Sequence, residues 1–92
     1  MEEYQIKYHP KVVKTDIPKL ASPDAKRIKK AIEEKLTTFP HIYGVPLRSD
    51  LFRLYKLRVG DFRVIYWIKD TVIYITMIEH RSIVYRNILK RI

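Results

Sequence analysis

The segment Leu54–Trp67, L-Y-K-L-R-V-G-D-F-R-V-I-Y-W, alternates apolar and polar positions on both sides of Gly60-Asp61. Side chains on a strand change face at every residue, so this pattern predicts two strands joined by a tight hairpin turn. With Gly60 and Asp61 as a two-residue loop, Val59 lies opposite Phe62, Arg58 opposite Arg63, and Lys56 opposite Ile65. Tyr55, Leu57, Val59, Phe62, Val64, Tyr66 and Ile68 then share one face, fit for burial. Lys56, Arg58 and Arg63 share the other, with no acidic residue beside them in these two strands. Like charges directly opposite each other cost stability. A folded chain that carries this cost is expected to hold an anion there.

Upstream, Tyr4 to Tyr8 alternates as a short strand. His9 to Leu20 suits a brief helix, with Pro10 in its first turn and Pro18 limiting its length. Ser22-Pro23-Asp24 predicts a helix start with Ser22 as the N-cap, and the helix runs to about Thr38. Ala25, Ile28, Ala31, Ile32 and Leu36 form its apolar stripe. The charged remainder of that helix is most simply a solvated face. Phe39 to Ser49, with Pro40, Gly44 and Pro46, reads as an irregular connection.

After the hairpin, a turn at Lys69-Asp70-Thr71 leads into V-I-Y-I-T-M-I, a third strand of the meander. With Asp70-Thr71 as its loop, Ile73, Ile75 and Met77 join the apolar face, and Tyr74, Thr76 and Ile78 the cationic one. Ser82 to Ile92 is helix-like, with Val84, Ile88, Leu89 and Ile92 on its apolar side. The expected fold is α/β in the broad sense, more narrowly α+β. Its order is β-α-α-β-β-β-α, an antiparallel sheet with two N-terminal helices on one face and a C-terminal helix. Leu54, Ile65, Trp67, Tyr74 and Ile78 on the outer face need cover from the C-terminal helix or a partner protein.

Composition narrows the class. Ninety-two residues suit a single domain, 1–92, and a hydrophobic fraction of 47% excludes a disordered chain. The formal net charge of +9 favours a polyanionic partner. The chain has no cysteine, and His9, His41 and His80 are scattered without metal-ligand spacing, so neither a metal nor another cofactor is expected. No apolar run approaches a membrane span, and M-E-E-Y-Q-I-K is not a signal peptide, so a cytoplasmic protein without membrane association is expected.

The segment after the third strand, E-H-R-S-I-V-Y-R, places Arg81 and Tyr85 four residues apart, on one side of a helical turn. An antiparallel third strand delivers this segment to the cationic end of the hairpin. Arg81 and Tyr85 are therefore expected beside Lys56, Arg58 and Arg63. Such a set contains no carboxylate pair, no Ser/His/Asp arrangement and no metal ligands. It suits phosphate chemistry on RNA, because cations can stabilise the added charge of a phosphorane-like transition state. The ribose 2′-hydroxyl can serve as nucleophile. Proton transfer could fall to Lys56 or to Tyr85, and Tyr85 could instead stack on a base.

L-Y-K-L-R-V-G-D-F-R-V-I-Y, followed by I-E-H-R-S-I-V-Y-R, resembles the RelE/ParE superfamily of toxin–antitoxin toxins, and most nearly its RelE branch. The resemblance covers nearly the whole chain as one RelE-like, microbial-ribonuclease-like domain. It implies a metal-independent, ribosome-dependent endoribonuclease that cuts messenger RNA in the ribosomal A site, inhibits translation, and is neutralised by a cognate antitoxin. Carried over by position, Lys56, Arg63 and Tyr85 match catalytic residues, and Arg81 lies in the basic segment that holds a further catalytic arginine. Arg53, Arg58 and Arg86 are the expected RNA-binding cations. Leu54 departs from the pattern, because some RelE toxins carry a second lysine there. Leu54, Ile65, Trp67, Tyr74 and Ile78 would bind the antitoxin. The alternatives are a non-catalytic ParE-type protein that inhibits DNA gyrase by binding, and a degenerate RNA-binding homologue.

Overall fold

A computed structural model describes residues 3–47 and 53–92. The start of the M-E-E-Y stretch and the end of the Phe39–Ser49 connection lie outside the described residues. The chain forms β1 (Gln5–Tyr8), a wide π-type turn (Val12–Asp16), a 3-10 turn (Ile17–Lys19), and α1 (Ser22–Ala31) continued by a second π-type turn (Ile32–Leu36). Then come α2 (Pro40–Tyr43), β2 (Val45–Pro46), β3 (Tyr55–Val59), β4 (Phe62–Lys69), β5 (Val72–His80) and α3 (Val84–Arg91). The strands make one sheet in the order β1-β5-β4-β3-β2. The α+β class and the meander follow the sequence pattern. The sheet is mixed, however, not antiparallel: β1 pairs parallel with β5. A helical crossover joins β1 to the meander, and it returns the chain in the parallel sense.

The hairpin register is as the alternation requires, with Arg58 opposite Arg63 and Lys56 opposite Ile65. Gly60 sits at φ 60°, where a side chain would be strained and would collide with the Arg27 guanidinium. Asp70 takes the equivalent place in the next turn at φ 55°. The helix start differs from expectation by one position. Ala21 is the N-cap, Ser22 is already helical, and no side chain caps the first turn.

The larger correction lies in β5. Ile65 pairs with Met77, but Tyr66 pairs with Ile75, so Thr76 is an extra residue in the strand. A one-residue bulge reverses the faces beyond it. Met77 therefore packs with Leu54, Ile65, Val84 and Ile88 under α3. Ile78 joins Val12, Ile28, Ile32, Leu36, Val64 and Tyr66 on the opposite face, under the N-terminal helical segments. The outer apolar face was expected to be covered by the C-terminal helix or by a partner protein, and α3 covers part of it. Leu54 and Ile65 are buried beneath α3, and Ile78 is instead buried on the other side. Trp67 and Tyr74 remain half-buried and stacked, with ring centroids 4.4 Å apart.

Beyond Tyr8 the edge of β5 has no strand partner among the described residues, and side chains satisfy it. The buried Asp16 carboxylate accepts the Ile78 N–H at 2.9 Å and a bidentate bond from Arg91 at 2.6 and 2.9 Å. Arg91 also donates to the Thr76 carbonyl at the bulge, at 3.1 Å. This clasp joins the N-terminal turn, the bulged strand and the end of α3. It fixes where α3 lies, and so where Tyr85 points.

Candidate functional site

Lys56 on β3, Arg63 on β4, His80 at the end of β5, Arg81 and Ser82 in the following turn, and Tyr85 on α3 line one open cleft of about 380 Å3. The meander brings them together. Arg63 lies two positions along β4 from Ile65, the partner of Lys56, and β5 ends beside it with Glu79 opposite Arg63. Burial of Val84 and Ile88 seats α3 on the sheet, which turns Tyr85 toward β3.

The central contact is a 2.7 Å hydrogen bond from Lys56 Nζ to the Tyr85 hydroxyl oxygen. An ammonium donating to that oxygen supports negative charge developing on it and leaves the phenolic hydrogen free to point elsewhere. Arg63 Nη1 is held by the Gly60 and Phe62 carbonyls at 3.1 and 2.9 Å. These bonds lock the guanidinium in place with other N–H groups left over for a ligand. Arg81 is tied to the hairpin turn, because its backbone N–H donates to the Asp61 carbonyl at 2.8 Å and its guanidinium lies 3.6 Å from the Asp61 carboxylate. Asp61 thus orients a cation as well as completing a turn.

Of the cations expected to converge, Lys56, Arg63 and Arg81 do, with Tyr85. Arg58 is exposed opposite Arg63 and Arg86 is exposed on α3, and neither lines the cleft. Arg53 lines a different concavity, near the start of β3. Two neighbours were not anticipated. His80 Nδ1 accepts the Ser82 backbone N–H at 3.1 Å and lies 2.8 Å from the Ser82 hydroxyl. A backbone N–H can only donate, so in the neutral ring the proton sits on Nε2. Glu79 faces Arg63 because the bulge turns it there, and it accepts a 3.3 Å bond from Asn87 on α3. The H-x-S spacing after a strand is a sequence signal for the His80 turn; nothing local in the sequence marks the bulge that places Glu79.

Among the described residues, no group of three His, Asp or Glu side chains could hold a metal ion. Tyr66 stands out among the tyrosines. Burial, and secondarily the neighbouring Tyr55, raises its pKa well above the ordinary value. Its hydroxyl donates to the Pro40 carbonyl at 2.6 Å, and Gly44 is needed beside it because a Cβ there would overlap the phenol. Tyr8 is raised too, by burial and then by the charge of Glu33. Neither group lines the cleft.

Residues 6–85 match the family model described as the ParE toxin of type II toxin–antitoxin systems, so the chain belongs to this family, within the RelE/ParE superfamily. It is a toxin of a type II system by fold and family. A chain of the toxin–antitoxin complex RelBE2 from Mycobacterium tuberculosis is 26% identical and superimposes with a TM-score of 0.81, over 89% of this chain and 95% of that one. A free arginine double mutant of the toxin RelE from Escherichia coli is 27% identical, with a TM-score of 0.75 over 98% of both chains. A chain of the RelE–RelB complex from Pyrococcus horikoshii is 28% identical, with a TM-score of 0.63 over 87% of this chain and 97% of that one. Comparison with curated protein sequences finds no match. Among the described residues, no helix is long and apolar enough to cross a membrane.

Proposed function

We propose that the chain is a ribosome-dependent endoribonuclease that cuts messenger RNA and is silenced by a cognate antitoxin. The observation that carries this reading is the Lys56–Tyr85 hydrogen bond, set in a cleft with Arg63 and Arg81. The reaction needs an internal nucleophile, a proton exchange and charge stabilisation. The 2′-hydroxyl attacks the adjacent phosphorus, the bond from phosphorus to the 5′-oxygen breaks, and a 2′,3′-cyclic phosphate and a 5′-hydroxyl result. Tyr85 gives its phenolic proton to the departing 5′-oxygen and takes up the 2′ proton, while the Lys56 ammonium supports the negative charge that develops on the phenolic oxygen. Arg63 and Arg81 stabilise the phosphoryl oxygens as charge accumulates there. No step calls for a metal ion.

The clasp suggests how an antitoxin acts. A partner that lifts α3 would expose Leu54, Ile65 and Met77 and carry Tyr85 away from Lys56. Two of the similar structures are toxin–antitoxin complexes, which supports such a partner for this chain. An acidic segment with apolar anchors would complement both the cleft and the uncovered face.

Messenger cleavage, mapped at nucleotide resolution after controlled expression, tests the reading. Wild type should cut within translated regions, and Arg63→Ala and Tyr85→Phe, both folded, should cut far less. A second reading draws on the ParE family match and on Leu54 in place of a second lysine. It is a non-catalytic inhibitor of DNA gyrase. Growth arrest with intact messengers and inhibited supercoiling would favour it.

A further inference from the structure

Two of the three histidines make the same local turn. His9 Nδ1 accepts the Lys11 backbone N–H at 3.0 Å, and His80 Nδ1 accepts the Ser82 backbone N–H at 3.1 Å. A backbone N–H can only donate, so in each case the accepting nitrogen is bare and the neutral ring carries its proton on Nε2. The two rings differ in where they stand. His9 follows β1 and has no part in the cleft, whereas His80 lines it beside Lys56, Arg63, Arg81 and Tyr85.

The His80 ring is held from several sides. The Ser82 hydroxyl lies 2.8 Å from Nδ1, a second donor on the same nitrogen. Phe62 meets the ring edge-on, with centroids 5.7 Å apart and planes at 84°. The His80 backbone N–H donates to the Glu79 carboxylate at 3.3 Å. Nε2 has no protein partner among the described residues. It is also not a buried orphan, so on this half-buried residue it reaches solvent. No carboxylate lines the cleft to accept its proton. The result is a fixed N–H donor without an acceptor, in a cleft already charged by three cations. A further cation there would add repulsion between like charges. A neutral imidazole adds a directed bond to a developing oxyanion without that cost.

We propose that His80 is a further catalytic residue of this cleft, its neutral ring donating the Nε2 proton in a hydrogen bond to a non-bridging phosphoryl oxygen while Ser82 fixes the tautomer. The proposal rests on the nuclease reading and adds a contact to it.

Two substitutions separate the two edges of the ring. His80→Asn keeps an acceptor for the Ser82 N–H and loses the Nε2 donor. His80→Gln keeps a donor near the Nε2 position and loses that acceptor. Messenger cleavage should fall about 10²-fold in His80→Asn, the usual loss of one oxyanion donor, with its urea midpoint near that of wild type. His80→Gln should cut about 10-fold better than His80→Asn, although it has lost the turn contact. The opposite order, or full cleavage by His80→Asn, would make His80 a turn residue like His9 and overturn the proposal.

Nitrogen NMR of the wild-type rings needs no variant and decides the matter even where the substitutions fold poorly. At about pH 8, above the ordinary imidazole range, the protein is titrated with inorganic phosphate. His80 Nε2 and its proton should shift saturably together with the Arg63 and Arg81 side chains, and His9 should stay still. Movement of the arginines without His80, or no saturable movement at all, overturns the contact. Messenger cleavage by wild type with no response at Nε2 defeats this contact and leaves the nuclease reading standing. A response at Nε2 with messengers left intact keeps the phosphate contact and defeats the nuclease reading.

Discussion

The two faces of the sheet begin from the same alternating pattern and end in different states. Beneath the N-terminal helical segments, Val12, Leu36, Val64, Tyr66, Ile73 and Ile75 are fully buried, and the buried charge of Asp16 is neutralised by Arg91. On the other face, α3 buries Ile65, Val84 and Ile88, and beside its first turn Lys56, Arg63 and Arg81 remain around an open cleft. Burial of an unpaired charge is costly, so a face that keeps several cations together must stay open to water or to an anion. The covered face and the clasp therefore carry most of the stability, and the open end of the other face carries the chemistry.

The sharpest way to break this division is to truncate a cleft residue. Lys56→Ala removes the support of the Tyr85 proton transfer and should lower messenger cleavage by about 10²–10⁴-fold, the usual contribution of a positioned proton-transfer group. The urea unfolding free energy should move by no more than about 1 kcal/mol, because the side chain is only half-buried and its partner Tyr85 is exposed. Cleavage that survives in the folded variant would remove Lys56 from the site.

Asp16→Ala tests the other half. It leaves Arg91 buried without its partner and the Ile78 N–H without an acceptor, and should cost about 3–5 kcal/mol in urea denaturation. A loss below about 1 kcal/mol would show that the clasp does not hold α3.

Tyr66→Phe should cost about 1–3 kcal/mol at pH 7, because the Pro40 carbonyl loses its donor. The phenol's pKa is raised in the folded protein by burial and then by Tyr55. Its contribution is therefore complete below the ordinary value of 10.0, and it declines above that value as the unfolded chain ionises first. Wild-type stability should fall above about pH 10, and the gap to Tyr66→Phe should narrow. Urea midpoints collected from neutral to strongly alkaline pH check this; parallel curves would contradict it. The smallest effect belongs to Arg81→Gln. Its pair with Asp61 lies at the surface, and its loss should change stability by less than about 1 kcal/mol, read from the same midpoints.

Much of this was legible in the chain because strand alternation is local. Tyr55 to Ile68 declares both hairpin faces, Gly60-Asp61 declares the turn, and the register between Arg58 and Arg63 follows without reference to the rest of the molecule. The convergence of Lys56, Arg63, Arg81 and Tyr85 follows from the same meander. What was not legible depends on distant partners. The extra residue at Thr76 is stabilised by Asp16 and Arg91 from elsewhere in the chain, and no pattern within V-I-Y-I-T-M-I signals it. Met77 and Ile78, the strand residues just beyond the bulge, were therefore assigned to the wrong faces. The parallel pairing of β1 was missed for a related reason: four residues of alternation say that a strand exists and nothing about its direction.

The clasp also bears on the order of folding. Asp16 and Arg91 are 75 positions apart, so their bond closes a loop of nearly the entire chain. Such closures come late, after local hairpins have shortened the remaining loop. The meander would assemble first, with α3 settling onto it last and bringing Tyr85 to Lys56 in the same event. A contact absent from the folding transition state slows unfolding without speeding folding. Asp16→Ala should therefore steepen escape from the native state while leaving the refolding limb of the chevron almost untouched. The cleft would be the last part of the molecule to form and the first to come apart.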